Sequence, residues 1–185
     1  MRGLLGFLPW IVYGFIATSD EWRWGAITGL VIALVLVAVD RRSGRSWDMM
    51  VIETSAVVFF ALLTALSLLD PDSPLTPYGP ALVDVWLAGT AWGSLAIRRP
   101  FTLGIARATT PEELWRNPVF HRANVIISAV WAAAFTVAAL ALTLVLSVSP
   151  HATTLVITIK VLSFAAPAAF TAWYPGHVKR RALAR

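Results

Sequence analysis

The chain contains no cysteine, little charge and no long polar stretch. Without cysteine it forms no disulfide, has no thiolate nucleophile and offers no sulfur ligand to a metal. Only 14% of its 185 residues are charged and 58% are hydrophobic, whereas soluble domains average about 25% charged and about 45–50% apolar residues. This imbalance predicts that lipid, rather than water, surrounds most of the protein.

The sequence also lacks the motifs of catalysis and of cofactor binding. It contains no P-loop, no dinucleotide-binding fingerprint and no serine-hydrolase signature. His121, His151 and His177 lie in three separate links on two sides of the predicted bundle, so they do not converge on one ion. We therefore predict no enzymatic activity, no metal site and no cofactor.

Six apolar segments account for most of the chain, and short polar links separate them. Their bounds are 4–17, 25–39 (or 22–39 with its interfacial edge), 49–69, 81–97, 125–148 and 152–173. About 20 apolar residues cross a bilayer, so the third, fifth and sixth segments are long enough without argument. The sequence thus predicts one domain, residues 1–185, and an all-α fold: a polytopic membrane protein with a bundle of six transmembrane helices.

The first segment is short for a membrane span and contains Pro9. Arg2 precedes its apolar core, so a cleaved signal peptide is the alternative interpretation. The small-residue pattern expected at a cleavage site is poor near Ala17, and the Pro9-Trp10 pair interrupts the core. These features favour a retained segment.

Basic residues are distributed unevenly over the links. If all six segments span and the N-terminus is cytoplasmic, all but two of the 15 Lys and Arg residues fall on the cytoplasmic side; the exceptions are Arg23 and Lys160. The positive-inside rule then predicts a multi-pass membrane protein with both termini in the cytoplasm. No link places a basic face and stacking aromatics on a foldable module, so nucleic acid is not a predicted partner.

The link between the fourth and fifth segments contains two helix-start signals. Thr110-Pro111-Glu112-Glu113 combines a Thr cap with Pro at the first helical position, and that helix must end before Pro118. Asn117-Pro118 repeats the signal and begins a helix that continues through Asn124 into the fifth segment.

The same link is rich in cations. Phe101, Leu103 and Ile105, with the three arginines around them, suit a piece lying in the membrane interface with its apolar side down and its guanidinium groups among the headgroups. We predict a cytoplasmic interfacial helix between transmembrane helices 4 and 5. The candidate interfacial residues of this loop are Arg98, Arg99, Arg107, Trp115, Arg116 and Arg122.

Glu53, Asp84 and Lys160 are the ionisable residues inside apolar segments, and we take them as a candidate intramembrane polar site. A charge at a helix centre costs about 2.5–3.5 kcal/mol on insertion scales. Glu53 and Asp84 lie near segment ends, where snorkelling to water is the alternative. Lys160 lies about 12 Å below the outer edge at 1.5 Å per residue. Because Asp84 is nearer in depth than Glu53, we predict a Lys160–Asp84 pair.

A further pattern lies on the fourth segment. Gly89 and Gly93, with Thr90 and Ser94, form a small-x-x-x-small face, which is typical of close helix packing in membranes.

Several short motifs resemble those of the intracellular septation protein A family of bacterial inner-membrane proteins. They are Phe7-Leu8-Pro9, Arg98-Arg99-Pro100, the Pro-x-x-x-Trp element from Pro111 to Trp115, Asn124 before Trp131, and Lys160-Val161-Leu162. The resemblance implies a location in the bacterial cytoplasmic (inner) membrane and a role in cell-envelope maintenance and division through partner proteins, with no established chemistry.

Two classes of function follow as hypotheses. The first is a non-enzymatic scaffold or partner-binding module whose partners are the lipid bilayer and other envelope or division membrane proteins, with a homo-oligomer left open. The alternative is a small transporter or channel that uses Lys160 and Asp84 in a polar cavity. A scaffold needs only exposed surfaces, whereas transport needs a wet, lined path.

Overall fold

The computed structural model describes residues 2–16, 22–149 and 151–183, and every regular element in these ranges is helical. The described residues form seven α-helices: α1 (Leu8–Ile16), α2 (Trp22–Arg42), α3 (Val51–Leu69), α4 (Gly79–Ala96), α5 (Phe101–Arg107), α6 (Pro118–Val148) and α7 (Thr153–Leu183). Short 3₁₀ helices precede or link them at Arg2–Phe7, Trp47–Met49, Thr76–Tyr78 and Glu112–Leu114. The predicted all-α class is confirmed.

Four of the helices, α2, α3, α6 and α7, are long and apolar enough to cross a membrane. A fifth span results if Thr76–Ala96 and Phe101–Arg107, bent by 80° at the break, count as one. The apolar helix Leu5–Gly14 is shorter. Its ten residues rise about 15 Å, which is half the thickness of a hydrocarbon core of about 30 Å. The described residues therefore give four or five membrane-length helices where the sequence predicted six; Ala17, the end of the first predicted segment, lies outside them.

The helices pack as two groups that share an aromatic core. In one, α1 packs on α2 and α2 on α3; in the other, α4 and α7 both pack on α6. The rings of Phe7 and Trp131 stack at 5.0 Å between centroids, and those of Phe59 and Trp86 lie 5.5 Å apart. These ring pairs join the two groups.

The C-terminus of α4 ends in a left-handed residue that turns the chain. Arg98 has φ of 57°, a conformation in which helices usually place glycine. The amide of Arg98 donates to the carbonyl of Leu95 at 2.9 Å, and that of Arg99 donates to Ser94 at 2.8 Å. This pair of bonds is the Schellman motif, which satisfies the last carbonyls of the helix. Pro100 follows, and α5 starts after the bend.

Helix α5 packs against the protein, and its predicted place in the membrane interface is not confirmed. Phe101, Thr102, Leu103 and Gly104 are all buried. The hydroxyl of Thr102 donates to the carbonyl of Asn124 at 3.0 Å, so α5 is fixed to α6. An amphipathic pattern serves a lipid interface or a protein groove equally well, and here the protein covers the apolar side.

In the remainder of that link the predicted start of α6 is confirmed, and the helix predicted near Pro111 is present only as a single turn. Asn117 caps α6, because its side-chain oxygen accepts a hydrogen bond from the amide of Val119 at 2.8 Å, and Pro118 is the first helical residue as predicted. The helix predicted near Pro111 is only the 3₁₀ helix Glu112–Leu114. Too few residues separate Pro111 from Pro118 to form more than a turn, since a residue before proline is disfavoured in a helix.

Helix α7 lies at the edge of the bundle. In its most apolar window only 11% of residues are buried, against 44% in α6. It continues through Pro167 and Pro175 without a break in the helix. It packs on α6, the predicted antiparallel neighbour.

Candidate functional site

Lys160 and Asp84 form a direct ion pair between α7 and α4. The Nζ atom of Lys160 lies 2.9 Å from Oδ2 of Asp84. The Asp84 side chain is fully buried and that of Lys160 is 14% exposed. The contact predicted from depth is therefore present, while its use in function stays a prediction.

The pair forms because both residues lie near the same ends of their helices. Asp84 lies five residues into α4 and Lys160 seven residues into α7, which places them about 8 Å and about 11 Å from those helix starts. A lysine stem spans that difference. The pair thus connects the edge helix α7 to a helix of the core.

An aromatic ring lies beside the ammonium group, and the next turn of α7 is tied to the Lys160 backbone. The hydroxyl of Ser163 donates to the backbone carbonyl of Lys160 at 2.9 Å. The ring of Phe164 lies with its centroid 5.5 Å from Nζ, within the range of a cation–π contact. The second oxygen of Asp84, Oδ1, is buried and has no hydrogen-bond partner in the part of the chain that the structure describes. The Ser163 hydroxyl nevertheless lies close enough to interact with this carboxylate, so Lys160 and Ser163 are its polar neighbours.

Glu53 belongs to a different cluster, which separates it from the candidate site predicted with Lys160 and Asp84. Arg45, in the link between α2 and α3, pairs with both Asp40 and Glu53. Its Nη1 atom lies 3.3 Å from Oε1 of Glu53, and Nη2 donates to the carbonyl of Met49 at 2.8 Å. Glu53 is 3% exposed, so it pairs in the protein rather than snorkelling to water.

The predicted interfacial residues do not form one site. The guanidinium group of Arg107 stacks over the ring of Trp115 at 5.2 Å, and the indole of Trp115 donates to the carbonyl of Thr110 at 2.9 Å. Arg98 is the left-handed residue that ends α4. The other three side chains, Arg99, Arg116 and Arg122, are exposed.

Tryptophan–hydroxyl contacts between helices were not predicted from the sequence. The indole of Trp86 donates to Ser55 of α3 at 2.9 Å, and that of Trp131 donates to Thr171 of α7 at 2.9 Å. Tryptophan in a membrane protein indicates an interface position first, and only the hydroxyl residues in mid-segment hint at this second use. Such interhelical bonds fix neighbouring helices in register.

The small-residue face of α4 divides into an inner and an outer part. Thr90 bonds to Ser55 of α3 at 2.7 Å, and Ser94 accepts a hydrogen bond from the amide of Phe101 at 3.1 Å. Gly89 and Gly93 point the other way, because a Cβ at either would meet nothing within 4 Å. The glycines therefore contact none of the described residues at that position and face outwards.

Comparison of the chain with models of protein families, with curated proteins and with solved structures gives no match. The resemblance to the septation protein A family accordingly stays a prediction from the motifs.

Proposed function

We propose that this chain is a non-enzymatic, multi-pass protein of the bacterial inner membrane that binds partner membrane proteins as a scaffold. The observation that carries the proposal is the outward position of Gly89 and Gly93 on α4. Glycines four residues apart let another helix approach closely, and packing, rather than hydrophobicity, drives association of helices in lipid. Val85, 53% exposed, extends the same face towards the start of α4.

The orientation is part of the proposal. The chain crosses the membrane six times, with a short first crossing around α1 and both termini in the cytoplasm. The uneven distribution of arginine over the links supports this orientation. The proposed role in envelope maintenance or division is supported only by the motifs that resemble those of the septation protein A family.

Affinity capture from native membranes tests the scaffold. A tagged chain with Gly89→Val and Gly93→Val is compared with the wild-type chain and with a matched control, Ala61→Val and Ala65→Val. The control pair is also four residues apart and exposed, on α3. We expect the glycine variant to lose at least ten-fold of each specific partner, while the control retains them. Equal recovery from all three chains would overturn the proposal, and two differently tagged copies identify self-association.

The alternative is a small transporter or channel built on Lys160 and Asp84. The position of Asp84 and Lys160 inside apolar segments favours it, because ionisable groups within a membrane commonly mark the path of a transported ion or proton. The full burial of Asp84 and its direct contact with Lys160 favour a structural pair instead. Flux assays in liposomes compare the wild-type chain with Asp84→Asn. A transporter shows flux that the variant loses, whereas a structural pair shows no flux in either chain.

A further inference from the structure

The chain turns sharply where α4 ends, and two adjacent arginines lie at this turn. Helices α4 and α5 form a pair that is bent by 80° at the break between Ala96 and Phe101. Arg98 and Arg99 lie in the break, and both side chains are exposed. These two residues are called the elbow arginines below.

Arg98 has a backbone conformation that favours a different residue type. Its φ of 57° is the left-handed value at which helices usually end in glycine, because a Cβ atom costs free energy there. Residues held in such conformations cluster at functional sites. The Arg98 side chain is therefore a candidate for a function that glycine could not perform.

The elbow arginines carry charge that no described residue neutralises. Neither guanidinium group forms a hydrogen bond or an ion pair with another residue in the part of the chain that the structure describes. No Asp or Glu occurs in the sequence between Asp84 and Glu112, and Asp84 is already paired with Lys160. A guanidinium group has five N–H donors in a planar fork that fits phosphate oxygens. Two such groups side by side favour a phosphate ligand.

The elbow lies at the depth of the phosphate layer of a bilayer. Helix α4 has 18 residues, which rise about 27 Å, close to the hydrocarbon thickness of about 30 Å. Ile97, directly before the arginines, is 68% exposed, and Trp92, about one turn earlier, is 48% exposed. An exposed apolar surface therefore adjoins the two cations, in the same order in which acyl chains adjoin a lipid phosphate.

We propose that the elbow arginines bind the phosphate of an anionic phospholipid, with an acyl chain against Ile97. A lipid with a net negative charge gains more from two guanidinium groups than phosphatidylcholine does, because the choline group brings a cation to the same place. An acidic peptide would satisfy the charge but would leave the adjoining apolar surface unused. The site does not depend on which side of the membrane the elbow faces.

Binding to the purified, delipidated full chain in detergent tests the ligand. Dioctanoyl phosphatidylglycerol, dioctanoyl phosphatidylcholine, glycerol 3-phosphate and hexaglutamate are titrated separately, and the bound fraction is measured by native mass spectrometry. We expect phosphatidylglycerol to bind at least five-fold more tightly than each of the other three. Equal affinity for the two lipids would overturn the proposal. Equal affinity for glycerol phosphate or for hexaglutamate would replace the lipid with a soluble phosphate or an acidic protein segment.

A matched pair of double variants assigns the binding to the elbow. Arg98→Gln with Arg99→Gln removes both elbow charges and should weaken binding of phosphatidylglycerol at least five-fold. Arg116→Gln with Arg122→Gln removes two other exposed arginines that likewise have no described partner, and it should change the affinity by less than two-fold. Equal losses in the two variants would attribute binding to the general positive charge of the chain and overturn the proposal.

Arg98→Gly separates the lipid role from a structural one. The substitution relieves the left-handed strain at this position, so the variant folds and should be at least as stable as the wild-type chain. It should nevertheless bind phosphatidylglycerol at least three-fold more weakly, because one of the two guanidinium groups is gone. Wild-type lipid affinity in this variant would show that the strained arginine does not contact the lipid, and it would overturn the proposal.

Discussion

Lys160 donates from Nζ to Oδ2 of Asp84 at 2.9 Å, across 76 residues of sequence. The pair is the ionic contact between α7 and α4 in the described residues. Because α7 is the least buried of the membrane-length helices, this contact and the aromatic packing around Phe164 hold it to the bundle. The pair is therefore expected to matter more for assembly than a surface salt bridge would.

A double-mutant cycle measures the contribution of the pair. Lys160→Met leaves a buried carboxylate alone, and Asp84→Asn leaves a buried ammonium group alone, so each should lower the free energy of unfolding by about 3 kcal/mol. The double variant should recover part of the loss because it removes both charges. Unfolding in mixed micelles gives the values, with Thr158→Val on the exposed side of α7 as control. Strictly additive losses would show that the charges do not interact.

Replacing Arg98 by glycine should stabilise the protein. Its φ of 57° costs a non-glycine residue about 1 kcal/mol or more, and glycine adopts this conformation freely. Arg98→Gly should therefore raise the free energy of unfolding by about 1 kcal/mol. Arg99→Gly, the adjacent residue with ordinary φ, removes the same charge and should give no gain. A gain in both variants would attribute the effect to charge instead.

Gly104 should not tolerate alanine. A Cβ there would lie 2.7 Å from the Cα atom of Met49, and backbone does not move aside as a flexible side chain does. Gly104→Ala should lower the free energy of unfolding by about 1–3 kcal/mol. Gly14→Ala is the matched control, since it also lies in a helix and its Cβ would meet nothing within 4 Å. Unchanged stability in the Gly104 variant would contradict the close approach of α5 to the Trp47–Met49 turn.

Single cysteines test the orientation in a chain that has none of its own. Ser43→Cys and Ala108→Cys should be protected from a membrane-impermeant thiol reagent in intact cells, and Asp72→Cys should react. All three positions are exposed. Asp72 is preferred to Ser73 because Ser73 is 5% exposed. The opposite labelling pattern would invert the proposed topology.

The sequence predicted the positions of helices better than the partners of side chains. The start of α6 at Pro118 followed from local chemistry, since Asn117 caps the helix whatever surrounds it. The Lys160–Asp84 contact followed from depth, because few residues in a membrane satisfy a buried ammonium group. In both cases the chemistry of one residue type restricted its partner to a single candidate.

Other features depended on tertiary packing that a sequence pattern does not determine. Arg45 turns back from a link to pair with Glu53, and no spacing rule indicates that a loop arginine reaches a buried acid. The apolar side of α5 faces protein rather than lipid, although the pattern from Phe101 to Arg107 is the same for either neighbour. The outward position of Gly89 and Gly93 likewise depends on which face of α4 meets α3 and α6.

Because Lys160 follows Asp84 by 76 residues, the ribosome synthesises the acid before it synthesises the ammonium partner. A ribosome adding about 5–20 residues per second delivers Lys160 roughly 4–15 s after Asp84. During that interval the carboxylate of α4 has no ammonium partner, and the last helix to enter the membrane is the one that supplies it. A nascent chain that stops before α7 therefore holds Asp84, a fully buried acid, without the ammonium group that neutralises it in the folded protein.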